Sequence, residues 1–281
     1  MRTFFCGVNT YGLGGLRSDI LGQCDRHVGV KLLQGNWMSA LHALNALDFS
    51  VSTFFNGFAR RSWAFDESVA FLSANDLFKG GFLMVLLWWA WFRRGSQALA
   101  DAARDHVIAT LASCVAALAV ARLMILLLPY RERPLHTEAL DWTLPHGVAV
   151  AALDGLSSFP SDHATLFFAL AVGLVFVSRR LGLLAFAYVT IAIALPRLYL
   201  GLHFLSDLVV GGLIGGATSA AGNRLLVGGR LTRRVRGWSD SAPQFFYPAL
   251  FLVTYQIAEL FGNSRALVSG FVKLGKALFG L

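Results

Sequence analysis

Residues 106–128 read HVIATLASCVAALAVARLMILLL. Arg122 is the one permanently charged side chain in the run. A helix that crosses a bilayer needs about 20 consecutive, mostly apolar residues. The run meets that length with no Gly or Pro to break it, so it reads as a spanning helix. Working outward, apolar runs recur at 77–92, 162–178, 182–202, 204–227 and 243–261. With the first run these make about six expected spans, and 265–280 reads as a terminal interfacial helix. Between 41 and 75 the pattern differs: Leu44, Leu47, Phe49, Val51 and Phe55 alternate with Asp48, Asn56, Arg60 and Arg61. That stretch predicts two amphipathic helices at the interface or against the bundle. The expected fold class is therefore all-α, a polytopic membrane helical bundle with N-terminal amphipathic helices.

Composition agrees. Of 281 residues, 56% are hydrophobic and 14% charged, and the mean hydropathy is +0.59. A soluble domain is about 25% charged, so this chain has too little charge to coat a water-soluble fold. The 23 Phe and 7 Trp exclude a disordered or collagen-like chain. Cys114 lies in an apolar run and reads as a small core residue. Nothing in the spacing of Cys6 and Cys24 demands that they pair, and there is no metal-type Cys spacing. No internal repeat is visible, which weakens a transporter built from duplicated halves.

Four segments follow. Residues 1–37 are Gly-rich and aperiodic, carry Arg2, Arg17, Arg26 and Lys31, and lack the apolar stretch of a signal peptide. This extension is expected to be non-native or dispensable, with Met38 as the candidate start. Residues 38–75 hold the amphipathic helices and 76–227 the transmembrane core. Residues 228–281 hold a basic loop, the last span and the C-terminal interfacial tail.

The formal charge of +8 raises the question of which membrane face holds the arginines. From residue 93 onward one face collects ten: Arg93, Arg94, Arg104, Arg179, Arg180, Arg224, Arg230, Arg233, Arg234 and Arg236. The other face collects three: Arg131, Arg133 and Arg197. The arginine-rich face is expected in the cytoplasm. The loop 129–161 and the turn 197–203 then lie on the outer side of the membrane.

Three polar clusters fall on that outer face, each at the end of an apolar run. They are Arg131-Glu132-Arg133-Pro134, Phe159-Pro160-Ser161-Asp162-His163, and Arg197-x5-His203-x3-Asp207. Arg133, Arg197 and Arg131 are fork-shaped cationic donors suited to phosphate oxygens. Ser161 opens a helix, where a hydroxyl and free N–H groups suit an anion. His203 and Asp207 are one helical turn apart, so the carboxylate can hold one ring nitrogen and leave the other as a nucleophile. His163 is placed to protonate a leaving oxygen. Two His, one Asp and several Arg without a carboxylate cluster point to phosphoryl transfer with no metal and no other cofactor. Taken singly, each cluster has an ordinary reading: a solvated rim, a structural His–Asp pair, a plain helix start. Their meeting at one depth on one face argues for chemistry, because ionisable groups are costly there. Arg122, inside its span, either completes the phosphate site or snorkels to the interface. Gly211/Gly215 and Gly212/Gly216 have the Gly-x-x-x-Gly spacing of close helix packing.

These clusters resemble the signature of the type-2 phosphatidic acid phosphatase family, which shares its fold with vanadium haloperoxidases. That signature is Lys-x6-Arg-Pro, Pro-Ser-Gly-His and Ser-Arg-x5-His-x3-Asp, and the resemblance spans about residues 40–225. Three positions depart: Leu126 replaces the first-motif Lys, Asp162 the Gly, and Pro196 the Ser. Arg122, or else Arg131, is expected to stand in for the lysine. Asp162 is grouped with the phosphate-binding residues, either tuning His163 or repelling a second anion. Ser158-Phe159 before Pro-Ser-Asp-His, and the stretch from Phe55-Asn56-Gly57 through Asp66 to Lys79-Gly80, resemble the bacterial branch that acts on undecaprenyl diphosphate.

The resemblance implies a lipid phosphatase of the bacterial inner membrane, its site facing outward, that converts a polyprenyl diphosphate to the monophosphate through a phosphohistidine. It implies a phosphorylated lipid and the membrane as partners, no nucleic acid, and no metal. Other substrates within the same chemistry are phosphatidic acid, phosphatidylglycerol phosphate and lipid A phosphate, or a second lipid accepting the phosphate. A lipid-binding or transport protein with a disused pocket is the reading from another class.

Overall fold

A computed structural model of the protein describes residues 44–148 and 155–262. The expectations for 1–37 and 265–280 lie outside the described residues. Every described regular element is helical. In chain order they are α1 (44–56), α2 (Trp63–Ala74), α3 (Phe82–Trp91), α4 (Gln97–Leu127), α5 (Asp162–Val177), α6 (Arg179–Tyr188), α7 (Leu195–Tyr199), α8 (Leu205–Leu226), α9 (Arg230–Ser241) and α10 (Pro243–Ala258). A π-turn, Leu77–Gly81, precedes α3, and a second, Val189–Ala194, joins α6 to α7.

Local chemistry sets the ends. Ser62, Ser96 and Ser161 cap α2, α4 and α5, each side chain accepting a backbone N–H of the first turn. Asp207 turns back to accept the Phe204 N–H at 2.8 Å, which fixes the start of α8. Pro196 and Pro243 occupy first turns, where a missing N–H costs nothing.

Packing centres on α3, α4, α5 and α8. Leu83, Leu87, Trp91, Cys114, Phe167 and Leu170 are sealed from solvent in one cluster. Helices α5 and α8 touch backbone to backbone: a Cβ on Gly215 would collide with the Thr165 carbonyl, and one on Gly211 with the Ser161 carbonyl. The glycine spacing in α8 therefore serves close approach to α5. The outer faces are apolar, with Leu126, Leu127, Leu213 and Leu225 exposed. Such a surface suits lipid, where every backbone group is already satisfied within a helix.

Three described helices are long and apolar enough to cross a membrane: Gln97–Leu127, Arg179–Tyr199 and Leu205–Leu226. A fourth is gained if α2 and the Leu77–Trp91 helix, bent by 70°, count as one broken span. The expected six are not all reached. Helix α5 is apolar but has 16 residues, about 24 Å at 1.5 Å per residue, against a hydrocarbon core of about 30 Å. Helix α10 also has 16 residues and contains Pro248. Apolar windows in the sequence run on into caps and turns that the helices exclude. The fold is an all-α assembly consistent with a multi-pass membrane protein.

Candidate active site

The segment after α4 and the segment before α5 lie side by side. Ser158 donates its N–H to the Arg131 carbonyl at 2.9 Å and its hydroxyl to the Glu132 carbonyl at 3.1 Å. Ser161 donates its N–H to the Asp207 carbonyl at 3.2 Å, and Leu135 donates to Gly201 at 3.0 Å. Gly201 has φ +69°, and a Cβ there would strike Trp142. These ties bring the ends of α4, α5 and α7 and the start of α8 around one cavity of about 620 Å³. Its polar wall includes Lys79, Arg122, Arg133, Asp162, His163, Arg197 and His203; its apolar wall includes Ala70, Ile125, Leu156, Leu200 and Leu202.

His203 is buried. Its Nδ1 lies 2.8 Å from the Ser158 carbonyl oxygen and 3.7 Å from Asp207 Oδ2. A carbonyl oxygen only accepts, so Nδ1 carries the proton and Nε2 presents its lone pair. Nε2 sits 3.4 Å from Arg133 Nη1. Burial first, then the positive charges of Arg133 and Arg197, push His203 below the ordinary histidine value, while Asp207 pulls it up. The buried ring is therefore neutral near pH 7. The expected direct bond between Asp207 and the ring is replaced by the Ser158 carbonyl. The Asp207 oxygens are occupied instead by Phe204 N–H at 2.8 Å and Arg131 Nη1 at 2.6 Å.

Arg133 and Arg197 are buried, at 5% and 3% exposure. Arg133 donates to the Leu202 carbonyl at 2.5 Å and the Ser157 carbonyl at 3.3 Å. Arg197 donates to Ser73 Oγ at 3.0 Å. Among the described residues neither guanidinium makes an ion pair, and both Nε–H groups lack a partner. Burial works against the charge on Arg133, with the Asp207 carboxylate a partial offset. Two buried guanidiniums give this wall of the cavity a positive character, which suits an anion. His163, in the first turn of α5, shares the cavity and lies beside Phe167.

Other expected residues sit differently. Arg122 and Asp162 pair with each other on the cavity wall, so Arg122 is held in the site rather than snorkelling away from it. Ser161 is fully buried, its hydroxyl caps α5, and Pro160 and Asp162 line the cavity beside it. Arg131 does not line the cavity: it pairs with Asp48 at 2.7 Å and Asp207 at 2.6 Å. Leu126, at the first-motif Lys position, is 80% exposed.

Sequence reasoning assigned no role to Lys79, Ser73, Asp48 or the Ser158 carbonyl. Lys79 projects from the π-turn before α3 onto the cavity wall and pairs with Asp76 at 2.6 Å. Its neighbour Gly80 lets that turn pack on α10, because a Cβ there would overlap Ala258. The Lys79-Gly80 pair was the available signal, since Lys is rare beside so apolar a run.

Residues 128–227 match the family model described as PAP2 superfamily, a span that holds all three clusters. A PAP2-superfamily domain is present. That match is consistent with lipid-phosphate hydrolysis. The chain is also 28% identical over 174 residues to "Putative undecaprenyl-diphosphatase YbjG" of Escherichia coli (strain K12), covering 61% of this chain and 80% of that protein. No solved structure matches the chain closely enough to count as a relative.

Proposed function

We propose that the protein is a membrane lipid phosphatase that hydrolyses a polyprenyl diphosphate, with undecaprenyl diphosphate the preferred substrate, to the monophosphate and inorganic phosphate. The observation that carries this reading is the pair of buried, carboxylate-free guanidiniums, Arg133 and Arg197, lining one cavity with His163 and His203. The named similarity to YbjG supports the choice of substrate.

In the proposed reaction, His203 Nε2 attacks the terminal phosphorus. The bond from that phosphorus to the bridging oxygen breaks, and His163, which takes up a proton as the anionic diphosphate binds beside it, gives that proton to the departing lipid monophosphate. Water, deprotonated by His163, then attacks the phosphohistidine, releasing phosphate and restoring the neutral ring. Arg133 and Arg197 neutralise the equatorial oxygens, where charge gathers in the transition state. Lys79 supplies the ammonium that Leu126 cannot. Arg122 is poised one exchange away, since an incoming phosphate competes with Asp162 for it.

In this reading α4, the α6–α7 rod and α8 cross the membrane, the shorter apolar helices α3, α5 and α10 complete the bundle beside them, and the arginine-rich ends lie in the cytoplasm. The cavity then opens at the outer face of a bacterial inner membrane, and the lipid tail lies along the apolar wall. The product would return to carrier use in envelope glycan synthesis.

The test is phosphate release in detergent with excess EDTA, comparing undecaprenyl diphosphate with phosphatidic acid at equal surface concentration. Faster release from the diphosphate is expected. Preference for phosphatidic acid would keep the chemistry and overturn the substrate.

A further inference from the structure

Asp48 is buried to 1% exposure on α1, a helix whose Phe49 and Phe54 are exposed. A buried carboxylate is costly unless it is paired and hydrogen-bonded. Asp48 is both. Its Oδ2 accepts from Arg131 Nη2 at 2.7 Å and from Ser206 Oγ at 2.5 Å, and its Oδ1 accepts from Ser206 N–H at 2.9 Å. The other side of the same guanidinium reaches Asp207 Oδ1 at 2.6 Å and Ser206 Oγ at 2.7 Å. The Phe204 ring closes the remaining face, 4.4 Å from the guanidinium carbon. Arg131 is thus clamped between two carboxylates, behind the cavity rather than on its wall.

We infer that Asp48 is a positioning residue: it holds Arg131, and through Arg131 fixes how the Asp207 carboxylate faces His203. The inference rests on the proposed phosphatase reading, in which His203 is the nucleophile. Asp48 and Asp207 share the single positive charge of Arg131. That sharing leaves Asp207 enough negative charge to support the ring once it becomes cationic. The groups acting on His203 are Asp207 from α8, Arg133 from the loop after α4, Arg197 from α7 and His163 from α5. Lys79 acts on His163. Asp48 and Arg131 therefore act from outside that ring of contacts, and they act with opposite signs. Without Asp48, the whole charge of Arg131 falls on Asp207, and the imidazolium loses support. Without Arg131, the full charge of Asp207 faces His203.

The test uses the full chain in detergent as wild type, Asp48→Asn, Arg131→Gln and the double variant. Phosphate release from undecaprenyl diphosphate is followed against pH, with inorganic phosphate as inhibitor. Each single variant is expected to lose about tenfold or more in kcat, the scale of a displaced reacting group. KM and inhibition by phosphate should stay within about twofold, because neither side chain touches the phosphate. The acid limb of kcat/KM should move to lower pH in Asp48→Asn and to higher pH in Arg131→Gln. A residue that only anchors α1 would move neither limb.

A kcat within about twofold of wild type in Asp48→Asn would overturn the inference. So would limbs that move in the same direction. Phosphate inhibition weakened about tenfold in Arg131→Gln would also overturn it, by making Arg131 a phosphate ligand. If Asp48→Asn does not fold, the double variant, which leaves no unpaired guanidinium, carries the test: it should match the kcat of Arg131→Gln, and a wild-type kcat would contradict the inference. An active wild type with unaffected variants would sink this inference alone. A silent wild type would sink the phosphatase reading and this inference with it.

Discussion

His203 Nδ1 is held by the backbone carbonyl of Ser158 at 2.8 Å, while the nearest Asp207 oxygen stands 3.7 Å away. The tautomer that exposes Nε2 is therefore set by a main-chain atom that no substitution removes. Asp207 contributes charge rather than the direct bond. Asp207→Asn should accordingly lower kcat by about ten- to hundredfold, well short of losing the nucleophile. Steady-state phosphate release checks this. A loss as deep as that of His203→Ala would mean that Asp207, not Ser158, orients the ring.

The neutral ring has a consequence for pH. Burial and two neighbouring guanidiniums hold His203 below its ordinary value of 6.5. A group with a lowered value stays unprotonated, and nucleophilic, until the pH falls below that lowered value. The acid limb of kcat/KM should thus lie below pH 6.5, with activity lost as pH drops through it. A limb at or above pH 7 would contradict the assignment.

Lys79 and Leu126 make opposite predictions. Lys79 lines the cavity, its side chain 15% exposed, whereas Leu126 is 80% exposed on the outer surface. Lys79→Met should reduce kcat/KM by about ten- to hundredfold, the range for one charged hydrogen bond to a phosphate oxygen. Leu126→Ala should stay within about twofold, because it removes only surface contacts. Equal effects in the two variants would remove Lys79 from the site.

Gly215 tests how α5 and α8 are held. A methyl group there collides with the Thr165 carbonyl, which is backbone and cannot swing aside. Gly215→Ala should cost about 1–3 kcal/mol in stability. Thermal unfolding in detergent reads it, with Gly237→Ala as the control, because a Cβ at Gly237 meets nothing within 4 Å. An unchanged midpoint for Gly215→Ala would mean that the helices do not touch as described.

Much of this was legible in the sequence because apolar runs and motif spacing are local. The run around Arg122 became α4, and Arg133, His163, Arg197 and His203 line one cavity. The number of full spans was less legible. Helix α5 stops at its C-cap Ser178 and α10 at its C-cap Glu259, so each keeps 16 residues where the apolar windows run on to 178 and 261. Arg131 and Arg133 are the same residue type two positions apart. Only their partners distinguish them: Asp48 and Asp207 for one, the Leu202 carbonyl and His203 for the other. Asp48 and Ser73 meet Arg131 and Arg197 across 83 and 124 residues, a distance no local pattern spans. The Ser158 carbonyl left no signal, since every residue carries one.

The most direct test of the central claim follows the phosphorus itself. Undecaprenyl diphosphate labelled at the terminal phosphate is mixed with enzyme, quenched in base within a single turnover, and the labelled peptide mapped. Label is expected on His203 in the wild type, with none bound and phosphate release reduced by several orders of magnitude in His203→Ala. Label on another residue, or a His203→Ala variant that keeps more than about a tenth of the rate, would contradict it.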